Sequence, residues 1–300
     1  MTATNLIVRA PAKINPILRV LERRPDGFHS VWSVMQTVGL EDDLAIRVRP
    51  SGTGRVDLQC DQPGLAVDQT NLVYRAARLV LDRSGRNADV SIHLTKRIPM
   101  GAGLGGGSSD AAATILGLDQ ALNLGWSVEQ MSEVGAQLGS DVPFFFVAPA
   151  ACVTGRGEVV QPIRLSGRRT VVLINPGFPV ETKWAYRQLS ATRGTVRSVS
   201  DAMQQLAASG SIAWADLSRL AQNDFEPPVF DAHPVLSEIK QHLLTQGAEA
   251  ALLSGSGATV FGVFAEQATA ERAAKAWGDR PGMKLFIVPT CDKGLQVATD

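Results

Sequence analysis

Pro99-Met100-Gly101-Ala102-Gly103-Leu104-Gly105-Gly106-Gly107-Ser108-Ser109 is the stretch of this chain that most narrows its fold. Its five glycines stand directly before a predicted helix over 108–122, so backbone N–H groups lie bare and can approach a ligand closely. The helix N-terminus adds partial positive charge, and the two serines, predicted to cap the helix, add hydroxyl groups. The stretch therefore predicts a loop that binds phosphate.

The same glycines also match the dinucleotide fingerprint G-x-G-x-x-G, which leaves a nicotinamide-dependent oxidoreductase as an alternative. That fingerprint normally opens a βαβ unit with an acidic residue roughly 20 positions further on, whereas here a second predicted helix, 127–138, follows the first. The common P-loop does not fit either, because no Gly-Lys-Ser/Thr ends the run. A different phosphate-binding architecture is expected.

The composition is that of a globular chain without a polyanionic partner. Its 300 residues are 45% hydrophobic, and 29 Lys and Arg balance 29 Asp and Glu, so neither nucleic acid nor an anionic membrane is expected as a partner. The three cysteines, Cys60, Cys152 and Cys291, lack paired spacing, which disfavours a disulfide framework or a zinc site and favours a cytoplasmic location. No segment approaches the roughly 20 apolar residues that would cross a bilayer.

The hydrophobic pattern predicts a strand-rich first half. Here we expect strands at 5–10, 14–21, 44–50 and 90–95 and a helix at 70–83 capped by Thr70. A further helix is expected from Ser127 to Leu138, with a capping box at Gln130. Asp141 follows it, before an apolar segment that we expect to be a strand. After a boundary near residue 165, we expect strands at 170–174, 250–253, 258–264 and 284–288 and helices near 198–208, 212–221, 234–246 and 267–277. The second half therefore reads as a split βαβ sandwich.

Three segments together resemble the motifs of the GHMP kinases: Ala10–Asn15, the glycine stretch, and Leu253–Phe261. The resemblance implies an α+β, two-domain GHMP kinase fold. It implies a ribosomal-protein-S5-like, ATP-binding domain over 1–165 and a ferredoxin-like, substrate-side domain over 166–300, with the active site between them.

Two further segments, Arg24–His29 and Gly139–Phe145, resemble one branch of that superfamily. Members of this branch phosphorylate the 2-hydroxyl of a cytidine diphosphate derivative of methylerythritol in the non-mevalonate route to isoprenoid precursors, with ATP and Mg²⁺. One departure is visible, because Phe28 stands where the branch usually has tyrosine. The aromatic face is kept, so stacking on a base should survive the loss of the hydroxyl.

The resemblance implies catalytic roles for Asp141 and Lys13. Asp141 would accept the proton of the attacking alcohol, and the Lys13 ammonium would stabilise negative charge beside it. Taken alone, the aspartate could equally be a turn or cap residue and the lysine a surface residue. Asn15 lies two positions on in a predicted strand, so it would share a face with Lys13 and orient the substrate.

On the nucleotide side, the resemblance implies that the whole loop 99–109 holds the phosphates of ATP and that Asn71 and Lys96 line the adenosine pocket. Their alternatives are a helix cap and a solvated lysine. Mg²⁺ would arrive with ATP, touching one side chain such as Ser109 or Asp141. No metal site built by the protein is expected, since the histidines outside the motifs, His93, His233 and His242, lack ligands at suitable spacing.

On the substrate side, the resemblance implies that His29 bonds the edge of cytosine. Phe28 and Tyr186 would supply aromatic surface beside Thr182, with Trp184 competing with Tyr186 for the stacking role. A second tight turn, Gly255-Ser256-Gly257, could close over the substrate's phosphates or could be a plain turn between strands.

Two other functions stay open within the same fold. One is another GHMP kinase activity, on homoserine, mevalonate or a sugar. The other is a nucleotide-binding protein that has lost catalysis, which the presence of both Lys13 and Asp141 disfavours. Whichever GHMP kinase activity the chain has, we expect its partner to be a small molecule. The chain is expected to be a monomer or a weak homodimer.

Overall fold

A computed structural model describes residues 3–50, 52–196 and 198–299 of the chain. Strands and helices are mixed along the whole length, as the expected α+β class requires. The strands are β1 Thr4–Arg23, β2 His29–Pro50, β3 Val56–Cys60, β4 Ala88–Thr95, β5 Ala150–Thr154, β6 Val159–Pro162, β7 Arg164–Ser166, β8 Thr170–Asn175, β9 Ser211–Ala213, β10 Gln222–Asn223, β11 Ala250–Leu253, β12 Val260–Phe264, β13 Lys284–Pro289 and β14 Gln296–Thr299.

The helices lie singly or in short runs between these strands. They are α1 Leu72–Ser84, α2 Gly106–Leu122, α3 Val128–Ala136, α4 Val142–Val147, α5 Thr182–Thr192, α6 Asp201–Ser209, α7 Trp214–Arg219, α8 Glu226–Ala232, α9 Pro234–Thr245 and α10 Gln267–Trp277. Across the described ranges, no helix combines the length and the apolar character that spanning a bilayer would take.

The larger sheet has the strand order β10-β1-β2-β4-β3, with β14 also on β1, β5 on β2 and β6 on β5. The expected strands 5–10 and 14–21 are one continuous strand, β1, in which the pairing with β2 shifts register after Pro11. A proline cannot donate to the ladder, so an irregularity at this point is its ordinary consequence. Helix α2 packs directly on this sheet, where Gly117 lies so close to Ile46 that a Cβ would have no room.

The smaller sheet is antiparallel, in the order β11-β12-β8-β13. Along β8 the side chains alternate between two cores. Val171 and Leu173 face apolar residues of β1 and β2, while Val172 and Ile174 face helices α9 and α10. This period of two is the pattern of a strand buried on both faces, and it joins the two sheets into one body of packed layers.

Segments from late in the chain complete the larger sheet. β10 pairs with β1 in parallel over Ile17 and Leu18, and β14 pairs antiparallel with β1 from Leu6 to Arg9. The division near residue 165 remains a prediction.

Local signals at helix starts gave mixed results. The capping box of Ser127 and Gln130 is present at the start of α3, as predicted. The cap of helix α1 lies one residue later than expected, because Asn71 rather than Thr70 caps it and Thr70 is bonded instead to Asp68. Helix α2 begins at Gly106 after Gly105 in the left-handed conformation, so the prediction that serines cap it was wrong.

The segment after Asp141 was predicted as a strand, and it is the short helix α4. Its apolar run, Val-Pro-Phe-Phe-Phe-Val, has no polar residue to reveal a period. Pro143 lies at the first turn of the helix, where its missing N–H costs nothing. A buried helical segment of this length cannot be told from a buried strand by periodicity alone.

Candidate active site

A cavity of about 630 Å³ opens between the glycine loop and the later half of the chain. Its walls combine residues from four of the five segments that carried the sequence prediction, all except Arg24–His29. The expected site residues that line it are Lys13, Asn15, Asn71, Lys96, Pro99, Met100, Gly101, Ala102, Gly103, Leu104, Gly105, Gly106, Gly107, Ser108, Asp141, Thr182, Tyr186, Gly255, Ser256 and Gly257. Ser109, Phe28 and His29 lie outside this lining.

Backbone contacts hold the glycine loop between β1 and the turn after β11. The Lys13 N–H donates to the carbonyl of Leu104 at 2.9 Å, and the Ser254 hydroxyl donates to the carbonyl of Gly103 at 3.0 Å. Gly103 has φ of +75°, and a Cβ there would overlap the carbonyl oxygen of Ser254. The three predicted motifs therefore meet at this loop, and only glycine allows the approach.

The loop leads straight into α2, whose first amide groups have no partner within the helix. Gly105 precedes this helix with φ of +71°, and Gly107 and Ser108 form its exposed first turn beside the cavity. Bare amides together with the positive end of the helix dipole form an anion site. Ser109 is fully buried behind them, and its hydroxyl has no hydrogen-bond partner in the described part of the chain.

Lys13 and Asn15 project from the same face of β1, as two residues of a strand separated by one must. The Lys13 ammonium donates to the Asn15 amide oxygen at 2.6 Å and lies 3.7 Å from a carboxylate oxygen of Asp141. Lys13 is only 3% exposed. Burial lowers its pKa below the ordinary value for lysine, and the nearby Asp141 charge only partly opposes this.

The Asn15 amide is itself fixed from two sides. Its nitrogen donates to the Ser33 hydroxyl at 2.9 Å, and Ser33 in turn donates to the carbonyl of Ile17 at 2.7 Å. Its oxygen also accepts from the Gly255 N–H at 3.1 Å. Ser33 was not anticipated from the sequence, because its partner lies across the β1–β2 pair rather than nearby in the chain. The amide therefore holds the Lys13 ammonium in one place.

Asp141 occupies the N-cap position of α4, yet its side chain caps nothing. The carboxylate is 33% exposed and faces the cavity. The alternative role, a helix cap, is therefore absent from this structure although the position is right for it. A carboxylate left free beside a buried ammonium is available to a ligand.

Lys96 is neither solvated nor free. Its ammonium bridges the buried carboxylates of Asp42, at 2.5 Å, and Asp110, at 2.8 Å. Asp42 also accepts from the backbone N–H groups of Arg97 and Ile98, which fixes the chain just before the glycine loop. Only sequence-distant partners make this cluster, so the pattern around Lys96 alone could not reveal it.

Titration within this cluster is shifted by burial. Burial raises the pKa of Asp110 to about 7, with Lys96 opposing the rise and Asp42 adding to it. Burial would lower the pKa of Lys96, but the two carboxylates outweigh it and raise that pKa above its ordinary value. The cluster ties the start of α2 to the strand that precedes the loop.

Asn71 is the cap of α1, the alternative that the sequence left open, and it also lies in the cavity wall. It lines the cavity, and its side-chain oxygen accepts from the Val73 N–H at 2.8 Å as the cap of α1. Its amide nitrogen donates to the carbonyl of Ala66 at 2.6 Å.

The far end of the cavity is aromatic. Tyr186 lines it and is stacked against His29, with ring centroids 5.2 Å apart and an interplanar angle of 18°. Phe225 meets the other side of Tyr186 edge-on at 4.8 Å. Trp184 packs against His233 instead, so Tyr186 is the aromatic residue of α5 that reaches the cavity.

Both rings of this stacked pair have shifted pKa values. Burial raises the pKa of Tyr186 to about 12, and the charge of Asp141 adds to the rise. Burial lowers the pKa of His29, and the charges of Arg193 and Arg23 lower it further. The imidazole is therefore neutral near pH 7, and its Nε2 lies 3.3 Å from the Ser190 hydroxyl.

The turn after β11 packs against the glycine loop and contributes Gly255, Ser256 and Gly257 to the cavity wall. The Asn223 amide donates to the carbonyls of Leu253 and Gly255, and the Ser256 hydroxyl lies 3.0 Å from that of Thr182. Asn223 has no local sequence signal, because it acts on a turn 30 residues away.

The described residues contain no group of three His, Cys, Asp or Glu side chains placed to hold a metal ion. Two of the predicted contacts for Mg²⁺ differ in access. The Asp141 carboxylate is partly exposed in the cavity, whereas the Ser109 hydroxyl is buried and lies outside its lining.

Comparison with known proteins places the chain in a family. The model of the GHMP kinases N terminal domain matches residues 71–148, and that of the GHMP kinases C terminal matches residues 193–282. A 4-diphosphocytidyl-2-C-methyl-D-erythritol kinase from Geobacter metallireducens is 41% identical, over 91% of this chain and 94% of the relative. One from Solibacter usitatus is 42% identical, over 96% and 90%.

Solved structures agree with these matches. A crystal structure of 4-(cytidine 5'-diphospho)-2C-methyl-D-erythritol kinase superposes with a TM-score of 0.76 at 33% identity, covering 95% of this chain and 98% of that one. A homoserine kinase from Cytophaga hutchinsonii also reaches 0.76, over 98% of each chain, but at 19% identity it shows the fold alone. The predicted GHMP kinase fold is confirmed, and the chain belongs to the 4-diphosphocytidyl-2-C-methyl-D-erythritol kinase family.

Proposed function

We propose that this chain transfers the γ-phosphoryl group of ATP to the 2-hydroxyl of 4-diphosphocytidyl-2-C-methyl-D-erythritol, a step of the non-mevalonate route to isoprenoid precursors. The names of its relatives support the substrate. One observation carries the chemistry: the Lys13 ammonium and the free Asp141 carboxylate lie 3.7 Å apart in a cavity that also holds the glycine loop.

In this proposal Asp141 is the catalytic base. Its carboxylate accepts the proton of the substrate hydroxyl, since it faces the cavity and caps no helix. Lys13 stabilises the negative charge that spreads over the reacting oxygens, and burial strengthens this effect because water is excluded. Asn15 keeps Lys13 in position and orients the substrate beside it.

The nucleotide belongs to the glycine loop. The family is one of kinases, which implies the use of ATP, and the loop 99–109 with the start of α2 provides the amides for its phosphates. We assign Asn71 and Lys96, which also line the cavity, to the adenosine. Of the two side chains predicted to touch Mg²⁺, Asp141 is the more exposed and would hold the ion, which would neutralise phosphate charge when bound with ATP.

The cytidine end belongs to the aromatic wall. His29, stacked on Tyr186, would bond the cytosine edge, while Phe28 and Tyr186 supply aromatic surface. A site that satisfies buried polar groups with one base leaves them unpaired with another, so cytidine should bind better than uridine. Thr182 and the turn Gly255-Ser256-Gly257 lie beside this path and would hold the phosphates or the methylerythritol.

The remaining parts of the proposal concern partners and location. The balance of 29 cationic and 29 anionic residues supports a small molecule, rather than nucleic acid or a membrane, as the partner. We also propose a monomer or weak homodimer in the cytoplasm, where three unpaired cysteines are ordinary.

Release of ADP tests the choice of substrate. The protein is assayed with ATP and Mg²⁺ against 4-diphosphocytidyl-2-C-methyl-D-erythritol, homoserine, mevalonate and a sugar at equal concentration, with CMP or UMP added as competitor. We expect ADP only with the first acceptor, and inhibition by CMP but not UMP. Turnover of another acceptor without inhibition by CMP would assign a different GHMP kinase activity.

A further inference from the structure

Arg156 lies in the tight turn between β5 and β6, a segment to which the proposed mechanism gives no role. Its side chain lines the cavity. The turn is held against two parts of the site. The Val31 N–H donates to the carbonyl of Gly155 at 2.8 Å, and Gly157 comes so close to Ser140 that a Cβ would lie 3.1 Å from that side chain. Arg156 is therefore fixed between the start of β2 and the segment that carries Asp141.

Lys13 and Lys96, the two lysines of the cavity wall, already have partners. Lys96 is bridged by two carboxylates, and Lys13 is held by Asn15 and Asp141. Arg156 differs from both. Its nearest carboxylate is that of Glu158, 3.8 Å from its Nε, and this carboxylate also accepts the backbone N–H of Arg156. Within 3–50, 52–196 and 198–299, no side chain or carbonyl accepts a hydrogen bond from the Arg156 guanidinium.

The guanidinium has a defined resting place. Its central carbon lies 5.1 Å from the centre of the Phe28 ring, which is 56% exposed. An arginine over an aromatic face is held by the ring quadrupole, and its N–H fork remains free at the edges. The stack therefore pre-orders a cation that has unused donors in the cavity.

The position of this cation matters because of what lies on either side. Phe28, which holds the guanidinium, precedes His29, the residue proposed for the cytosine edge. Gly157 packs against Ser140, which precedes the proposed base Asp141, and these two neighbours mark the two ends of the proposed substrate path. A cytidine diphosphate ester that reaches both ends must carry its diphosphate across the space between them. Arginine binds phosphate oxygens with two parallel hydrogen bonds, a geometry that lysine cannot supply.

We propose that Arg156 binds the diphosphate of the acceptor substrate and so selects nucleoside diphosphate esters over smaller alcohols. This inference rests on the proposed function and adds to it a residue that determines specificity. In the proposed function the glycine loop holds ATP, so Arg156 is assigned to the acceptor and not to the phosphoryl donor.

Substitution Arg156→Met tests this assignment by steady-state kinetics. Losing a charged hydrogen-bond pair should raise the KM for 4-diphosphocytidyl-2-C-methyl-D-erythritol roughly 10- to 100-fold, with the KM for ATP within about twofold of wild type. Arg156→Lys keeps the charge without the fork and should give an intermediate KM. Arg219→Met removes an exposed arginine paired with Asp216 on α7 and should change neither constant.

Affinity for cytidine nucleotides gives a readout that does not need turnover. Isothermal titration should show that wild type binds CDP more tightly than CMP, and that this preference falls towards unity in Arg156→Met. If Arg156→Met does not fold, Arg156→Lys decides the question, because a partial loss of the CDP preference is then required.

The outcomes separate the two claims. A wild-type protein that does not phosphorylate the substrate would contradict the proposed function. A wild type that turns over normally, with an unchanged KM and an unchanged CDP-to-CMP ratio in Arg156→Met, would overturn the role of Arg156 alone. Equal rises of both KM values would overturn it as well, since they would indicate a general disturbance of the site.

Discussion

The Lys13 ammonium lies 3.7 Å from the Asp141 carboxylate while it donates to the Asn15 amide oxygen at 2.6 Å. Asn15 is locked by Ser33 and by the Gly255 N–H, so the lysine cannot swing away to pair more closely with the aspartate. The carboxylate thus lies near the Lys13 ammonium, but the short hydrogen bond of that ammonium goes to Asn15. This arrangement leaves the two Asp141 carboxylate oxygens accessible to a substrate hydroxyl.

Asp141→Asn tests the proposed base. The amide keeps the shape of the side chain but cannot take a proton, so kcat should fall roughly 10²-fold or more while ATP and substrate still bind. Stopped-flow turnover and titration of both ligands provide the measurement. Asp216→Asn, an exposed carboxylate on α7, is the matched control and should retain wild-type rates. Unchanged turnover in Asp141→Asn would remove this residue from the mechanism.

His29→Ala tests the cytidine end of the cavity. The ring stacks on Tyr186, so its loss removes both a polar contact to the base and the support of the tyrosine. We expect the KM for the cytidine substrate to rise about tenfold or more, with the KM for ATP nearly unchanged. His93→Ala, an exposed histidine on β4, serves as the control. Equal weakening of both ligands would place His29 outside the base pocket.

Gly103→Ala tests whether the loop needs glycine for close packing. The residue has positive φ, and a Cβ would overlap the Ser254 carbonyl, so unfolding free energy should fall by about 1–3 kcal/mol or more. At Gly107 a Cβ would meet only Leu72 at 3.6 Å, and Gly107→Ala should leave stability unchanged or raise it by up to about 1 kcal/mol. Thermal denaturation compares the two. Similar losses in both variants would show that the contact with Ser254 is not the cause.

Asp110→Asn tests the buried cluster around Lys96 through the pH dependence of stability. Burial raises the pKa of Asp110 from 3.8 to about 7, so between these values the folded chain binds more protons than the unfolded chain. This group therefore makes wild type less stable as pH rises through that window, by at most about 1.4 kcal/mol per pH unit, and the amide lacks the effect.

Urea denaturation at several pH values between 4 and 7 measures this difference. The stability of wild type relative to Asp110→Asn should fall steadily as the pH rises. Asp292→Asn, an exposed carboxylate paired with Arg168, should run parallel to wild type. A constant difference between wild type and Asp110→Asn would show that Asp110 does not titrate in this range.

Local chemistry made much of this fold predictable. The capping box at Ser127 could be predicted because its partner, Gln130, lies three residues away. The strand at 170–174 could be predicted because it is a short apolar run. The glycine loop could also be predicted, because its glycines are close together in the sequence. Its position against Ser254 could not, since that contact joins residues 151 apart. What the sequence could supply there was only the resemblance of separate motifs.

Features that depend on distant partners were out of reach. From the sequence alone Lys96 could be a solvated lysine, because its partner Asp42 is 54 residues away in the chain. Arg156 follows a glycine in a plain turn, and nothing nearby signals that Phe28 will lie under it. The helix α4 was mistaken for a strand because packing, rather than periodicity, decides so short an apolar run.

Phosphorus NMR of the reaction tests the central claim most directly. The protein is mixed with ATP, Mg²⁺ and 4-diphosphocytidyl-2-C-methyl-D-erythritol, and the spectrum is followed over time. The account predicts that ADP resonances grow together with a new phosphomonoester resonance, while the cytidine diphosphate signals persist. Binding of ATP with no new phosphomonoester would contradict it, leaving the fold in place and the acceptor wrongly assigned.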